Sequence, residues 1–417
     1  MEMEFLARSR AAPGHASARE PARERRTVHG IVTTIERHER LSVTSVSRST
    51  MMWGWFSSQM LISCVRGLPM STLRLAVIGA GVVGRSHAQR IAGASFCSLA
   101  GICDNDPNRR NVATEHNSGF YADTDILLQQ ESPDGVIIAT PNASHGRLAS
   151  ECLARGVPVL VEKPISDLLE SAHDIVTASD QAGVPVLVGH HRRHSTAVRR
   201  TKQLLENHAI GELIALSLMW ALKKPDDYFD VDWRSRPPGG GPVLINLIHE
   251  LDTLRFLCGE IDRVYAQASS QTRQLEVEDT VSISLSLRSG VIATLLACDS
   301  TPSPWSYEAT THENPLYFES TENCYHFLGT EGGLAFPRLE IWRHDDPSAV
   351  GWQHPLTRHT EEIGTRDPLD TQLEHFCDVI RGDVQPLVDA RDATRSLAVA
   401  HAVLESIQTQ QPVTVVP

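Results

Sequence analysis

The chain has 417 residues, 41% of them hydrophobic and 21% charged. That length suits two or three globular domains with real cores. A net charge of −13 argues against a nucleic-acid binder, and no uncharged apolar stretch reaches the roughly 18 residues of a spanning helix, so no membrane partner is expected. The eight cysteines are scattered without a CxxC pair. They are read as free thiols of a cytoplasmic protein, with no metal site.

Residues 1–69 stand apart. They carry ten Arg, six Glu and no Lys, a balance of +4 against −17 for the rest. They show no sustained period, and their glutamates argue against a transit peptide. They are expected to be a disordered or mispredicted extension, with Met70 as the working start. From 73–78 onward short apolar runs alternate with helical spacing. Strands are read at 73–78, 98–103, 135–139, 157–161 and 184–188. Helices are read at 83–91, 108–117, 146–155 and 167–182. This alternation predicts βαβ units and a doubly wound parallel sheet, a Rossmann domain over residues 70–190. After a helix at 197–208, longer strands at 213–222, 263–271, 280–287 and 291–297 follow, several with no helix between them. Residues 191–417 are therefore read as an α+β domain with a large, mostly antiparallel sheet. A Gly-Pro entry and helix occupy 239–259. Closing helices lie at 370–381 and 389–407, the last packing back on the body.

Gly79-Ala80-Gly81-Val82-Val83-Gly84 is G-x-G-x-x-G between a strand and a helix. Gly79 allows a tight turn, Gly81 lets backbone approach a pyrophosphate, and Gly84 lets helix and sheet close together. Asp104 follows at the end of the second strand, placed to accept from the adenosine ribose hydroxyls and to repel a 2′-phosphate. NAD is therefore favoured over NADP, with Arg109 and Arg110 close enough to complicate the charge argument. Thr140, Asn142 and His145 follow the third strand, at the carboxyl edge where ligands sit in open α/β sheets. Asn142 and His145 read equally as cofactor contacts or as a helix cap with an exposed histidine. Glu162-Lys163-Pro164 ends the fourth strand and brings one of only four lysines to the same edge. An ammonium there polarises a hydroxyl or carbonyl beside a nicotinamide. His190-His191-Arg192-Arg193-His194 follows the fifth strand. Arg192 would pair bidentately with a substrate carboxylate. Tyr228, Trp233 and Arg234, with Trp220, form either a substrate wall or ordinary loop packing.

In this order GAGVVG, ATPNASH (139–145), EKP (162–164), VGHHRRH (188–194), GGGP…H..D (239–252) and FLGTEGGL (327–334) resemble the Gfo/Idh/MocA oxidoreductase family from about residue 73 to the C-terminus. The resemblance implies a Rossmann domain, an open-sheet second domain, and dimers or tetramers formed through that sheet. It implies that Lys163 is the active-site lysine, with a cis bond to Pro164, and that the catalytic histidine is His249. It also implies substrate contact at His191 and Arg192. The polyol dehydrogenases carry an Asp four residues before that histidine. Here the position is Ile245, and Asn246 stands one residue later on the His249 face. Asp252 reads as an orienting group for His249 or as a surface acid facing Arg255.

The expected function is an NAD-dependent oxidoreductase moving hydride between nicotinamide and a hydroxyl-bearing carbon of a polyol, sugar or inositol-like substrate. The expected roles are proton transfer by His249, near its ordinary pKa of about 6.5, and oxyanion stabilisation by Lys163. Alternatives are a dehydrogenase of a cyclic carboxylate-bearing hydroxy acid or dihydrodiol, and a catalytically silent NAD-binding regulator. Starting the chain at Met70 should leave its thermal midpoint and its NAD binding unchanged. A drop of several degrees, or loss of binding, would show that residues 1–69 belong to the fold.

Overall fold

A computed structural model describes residues 72–416. The expectation for residues 1–69 lies outside the described residues. The first domain runs β1 (Leu73–Ile78), α1 (Val82–Gly93), β2 (Cys97–Cys103), α2 (Arg110–Glu115), β3 (Gly119–Tyr121), α3 (Thr124–Glu131), β4 (Gly135–Ile138), α4 (His145–Leu153), β5 (Val159–Val161), α5 (Leu169–Ala182) and β6 (Val186–Val188). All pairings are parallel, in the order β3-β2-β1-β4-β5-β6. The central strands are buried on both faces, so Gly135–Ile138 and Val159–Val161 read as unbroken apolar runs rather than alternating ones. The sheet has six strands where the sequence suggests five. The additional strand, β3, is a half-buried three-residue edge strand with too few residues for a period to show.

The second domain holds α6 (Thr196–Glu206), β7 (Leu213–Ala221), α7 (Ile248–Cys258), β8 (Ile261–Ser269), β9 (Thr280–Leu287), β10 (Ile292–Cys298), α8 (Tyr307–Thr311), β11 (Tyr325–Gly329), β12 (Gly332–Phe336), β13 (Glu340–Arg343), β14 (Thr357–Thr360), α9 (Pro368–Arg381), α10 (Ala390–Thr409) and β15 (Val413–Thr414). Nine strands form one open sheet, ordered β14-β13-β12-β11-β7-β10-β9-β8-β15. Only the β10–β7 pair is parallel. Strict alternation along β9 and β10 turns Val281, Ile283, Leu285, Ala293, Leu295 and Ala297 inward against α7 and α10. The opposite face leaves Ile214, Ile292, Leu296, Leu328 and Trp342 exposed.

The last two helices cover the parallel sheet, and the second of them joins both cores. Leu373, Phe376 and Cys377 of α9 pack with Leu75, Val77, Ile137 and Leu160 of the parallel sheet. Ala390, Ala393 and Leu397 of α10 join the core on the other side of that sheet, while Ala398 to Val403 join the core of the second domain. Asp367 and Asp389 cap the two helices at Leu369 N and Asp392 N.

Buried charge fixes this arrangement. Arg193, just beyond β6, donates from Nε and Nη2 to both Asp252 oxygens at 2.9 and 2.7 Å. Ser396 of α10 donates to Asp252 at 2.7 Å, and Arg255 donates to Asp392 at 2.8 Å. Asp252 is fully enclosed, so it neither orients His249 nor lies at the surface: its bidentate bond to Arg193 takes both oxygens. Burial would raise its carboxyl, but His190 and Arg193 hold it well below the ordinary range. Asp252→Asn should lower unfolding free energy by about 3–5 kcal/mol, since it removes the bidentate partner of buried Arg193 and leaves Asp392 to serve both Arg193 and Arg255. Arg391→Ala, which removes an exposed pair with Asp180, should change it by less than about 1 kcal/mol. Denaturant titration of both variants checks the contrast.

Candidate active site

The glycine turn sits at the point where the strand order reverses, between β1 and β4. A Cβ on Gly84 would lie 1.7 Å from the Gly79 carbonyl oxygen, so only glycine lets α1 close on the turn. A Cβ on Gly81, in contrast, would meet nothing within 4 Å. That open side adjoins the first turn of α1, where no side chain caps the free N–H groups. Uncapped amides beside open space are what a pyrophosphate requires. Val82 and Val83 flank it and are exposed. Asp104 Oδ2 accepts from Ala80 N at 2.7 Å, and Oδ1 accepts from Asp106 N at 2.9 Å, which fixes the carboxylate at the rim. Arg109 faces Asp106 at 3.6 Å, and the Arg110 guanidinium lies 4.7 Å from the Phe120 ring centroid. Both arginines therefore have partners of their own.

Asn142 opens a short turn after β4 and is half-buried; Thr140 Oγ1 accepts from Ser144 Oγ at 2.7 Å. His145 is fully buried, not exposed. Its ring bridges the carbonyls of Thr140 at 2.9 Å and Pro164 at 3.0 Å. It thus clasps two loops of the cofactor edge to each other instead of reaching a ligand. His87 Nε2 donates to Glu162 Oε1 at 2.7 Å. Burial alone would raise the Glu162 carboxyl, but His87, with Lys163 and His191 nearby, brings it down to about 2. Glu162 is held inside by His87 and supports the neighbouring lysine. The Lys163–Pro164 bond is cis.

Lys163 Nζ donates across the domain boundary to the Ile245 carbonyl at 3.1 Å. Ile245 lies in a π turn, Val243–Leu247, that feeds directly into α7. Its entry is built by Gly241 (φ +85°), where a Cβ would strike the Glu278 carboxylate at 2.5 Å. Glu278 Oε1 accepts from Val243 N at 2.9 Å and caps the turn. The wider turn leaves Ile245 and Asn246 half-buried at the site, and His249 follows at the start of α7.

Burial pulls Lys163 down to about 8, opposed by Glu162 and aided by Arg192 and Lys224. Burial, together with the charges of Lys163 and Arg192, pushes His249 well below its usual value. This replaces the expected pKa near 6.5: the imidazole is neutral across the ordinary pH range. Its Nδ1 is buried without a partner, so Nε2 is the nitrogen left for chemistry. The His191 ring meets it edge-on at 5.0 Å and the His190 ring at 6.3 Å. Burial brings His191 to about 3 and His190 to about 4.

The expectation that Arg192 holds a substrate carboxylate fails on geometry. The side chain is buried. Nη1 donates to Glu250 at 2.6 Å, Nη2 donates to Glu308 at 2.7 Å, and the guanidinium stacks 3.8 Å from the Tyr307 ring centroid. Two protein carboxylates already take its fork. Trp220 is also internal, donating to Glu308 at 3.0 Å. Trp233 is 46% exposed on the loop before the glycines, and Arg234 lies over Tyr228 at 4.3 Å.

One residue of the site escaped the sequence reading. Lys224, just beyond β7, is 7% exposed. Its Nζ donates to Asn246 Oδ1 at 2.8 Å and pairs with Asp299 at 3.1 Å. It also lies 4.9 Å from the Tyr228 ring centroid and 5.7 Å from that of Trp220. The scarcity of lysine was the available signal, since four lysines against 34 arginines make each one informative.

Comparison with known proteins agrees with this geometry. The family signature "oxidoreductase family, NAD-binding Rossmann fold" matches residues 73–190, and "oxidoreductase family, C-terminal alpha/beta domain" matches residues 202–415. An inositol 2-dehydrogenase of Arthrobacter sp. (strain FB24) is 33% identical over 232 residues, 53% of this chain and 66% of that protein. A 1,5-anhydro-D-fructose reductase of Ensifer adhaerens is 29% identical over 356 residues, 81% of this chain and 97% of that protein. The crystal structure of the WlbA dehydrogenase from Bordetella pertussis, in complex with NADH and UDP-GlcNAcA, superposes with a TM-score of 0.69 at 22% identity, covering 83% of this chain and 99% of that one. The chain belongs to the Gfo/Idh/MocA oxidoreductase family, with an NAD-binding Rossmann domain that carries Lys163 and an α/β domain that carries His249.

Proposed function

We propose that the protein is an NAD-dependent dehydrogenase acting on a hydroxyl-bearing carbon of a sugar, polyol or inositol-like molecule. The single observation that carries this reading is the Lys163–Ile245 bond of 3.1 Å, which joins the carboxyl edge of the parallel sheet to the turn that presents His249. The names of the inositol dehydrogenase and anhydrofructose reductase relatives support the substrate class. Retention of both Lys163 and His249 favours catalysis over a silent regulator.

When bound, the nicotinamide accepts or returns a hydride. The Gly81 opening and the first amides of α1 would hold its pyrophosphate, and Asp104 would take the adenosine ribose. Lys163 donates to the substrate oxygen as negative charge develops there. His249, neutral and open only at Nε2, accepts the hydroxyl proton. The imidazolium that forms lies among Lys163 and Arg192 and readily gives the proton up. The substrate, a small molecule, would bind over the nicotinamide, between Lys163 and His249. A homodimer or homotetramer, formed through the apolar outer face of the nine-stranded sheet, is the assembly this reading implies.

Three measurements test the scheme. Asp104→Ser should weaken NAD binding by about 1–3 kcal/mol and narrow the gap to NADP. Tighter binding of NADP than of NAD by the unaltered protein contradicts the assignment. Lys163→Met and His249→Ala should each lower kcat by ~10²-fold or more, with NADH affinity retained. The pH profile should show no acidic limb near 6.5, because His249 stays unprotonated there. Lys163 acts as the ammonium, so kcat/KM should fall as pH rises through about 8. A rate that climbs through pH 8 would make Lys163 the base instead.

A further inference from the structure

Lys224 carries chemistry that hydride transfer to a neutral polyol leaves unused. A lysine this deeply enclosed needs compensation, and its surroundings supply it from one side only. Asp299 pairs with Lys224, but it also accepts from Arg273 Nε at 2.8 Å, so one carboxylate serves two cations. Glu278 acts on Lys224 from further off and is committed to the Val243 N–H. Tyr228 and Trp220 turn ring faces to the ammonium. Asn246 Oδ1 takes one of its protons at 2.8 Å.

That last bond fixes the amide. An ammonium has only donors, so the oxygen of Asn246 must face Lys224. Nδ2 is then turned the other way, and among the described residues no acceptor lies within hydrogen-bond distance of it. One residue earlier, Lys163 Nζ donates to the Ile245 carbonyl, and among the described residues no carboxylate lies within 4.0 Å of it. Two ammonium groups from different domains thus bracket Ile245 and Asn246. Between them the turn presents an isoleucine and an amide N–H. The wall offers donors and positive charge, which suits a ligand with acceptors and negative charge.

We propose that Lys224, with the Asn246 amide it orients, binds a carboxylate of the substrate, so that the molecule oxidised is a polyhydroxy acid and not a neutral sugar or polyol. This rests on the reading above that the chain acts on a hydroxyl-bearing carbon. It returns to Lys224 the role that the sequence alone suggests for Arg192.

Three neutral–acid pairs provide the probes: D-glucose with D-glucuronate, D-galactose with D-galacturonate, and myo-inositol with quinate. Each is titrated into the enzyme–NADH complex by tryptophan fluorescence, and each is assayed for turnover with NAD. In at least one pair the acid should bind about tenfold or more tightly than its neutral partner. Lys224→Met should abolish that preference, raising KM for the acid about tenfold or more relative to the KM of its neutral partner. Asn246→Asp should reverse the preference, and retained NADH binding shows that each variant is folded. Equal or weaker binding of the acid in all three pairs overturns the proposal, as does an equal shift of both partners in Lys224→Met. Acid-selective binding with no turnover of any probe supports the carboxylate site while counting against the dehydrogenase reading.

Discussion

Two consecutive arginines hold the site together. Arg192 and Arg193 leave the end of β6 and grip Glu250 and Asp252, the residues at one and three positions beyond His249. All four side chains are buried. A helix pinned at 250 and 252 has no freedom to slide or turn, so the imbedded histidine between the π turn and these acids has one orientation. Removing either partner would leave a charge stranded in the interior, the costly way to break such a pair. The grip also spans domains, since the arginines follow the parallel sheet and the acids belong to the helix of the second core.

The same arginines help set the protonation state. Lys163 and Arg192 lie around a histidine that burial has already made a weak base. A neutral imidazole beside an ammonium is an acid–base pair poised in opposite senses. One partner can receive a proton while the other stabilises an anion, without either being matched by a carboxylate in contact with the substrate space. Glu250 and Glu308 neutralise Arg192 from behind, so its charge presses on the histidine without competing for ligand.

Much of the fold was legible because its signals are local. The strand–glycine–helix start, the strand–helix alternation that follows it and the two closing helices are readable in short windows. β3 and β11 to β14 were not, because strands of three to five residues are specified by their neighbours in the sheet. Within the site, the glycine turn was readable from its spacing and Lys163 from its place at a strand's carboxyl edge, while His249 was singled out only by the family resemblance. Arg192 was misjudged because sequence shows that a side chain has charge but not which carboxylates await it across 58 and 116 residues. His145 and Asp252 were misjudged for the same reason: burial is a property of the assembled layers. Lys224 went unnoticed because its partner Asp299 lies 75 positions away and its aromatic neighbours come from two different segments.

The position of α9 and α10 bears on how the molecule is made. Phe376 and Leu397 complete the two sides of the parallel sheet, yet they follow every one of its strands and the whole second core in the chain. On a ribosome the six parallel strands emerge first, and domains ordinarily fold in that order. Here the first domain must wait, with apolar surface uncovered on both sides, until α9 and α10 have been made. The parallel sheet is thus no independent folding unit: its strands and the two helices that cover it reach their final state together.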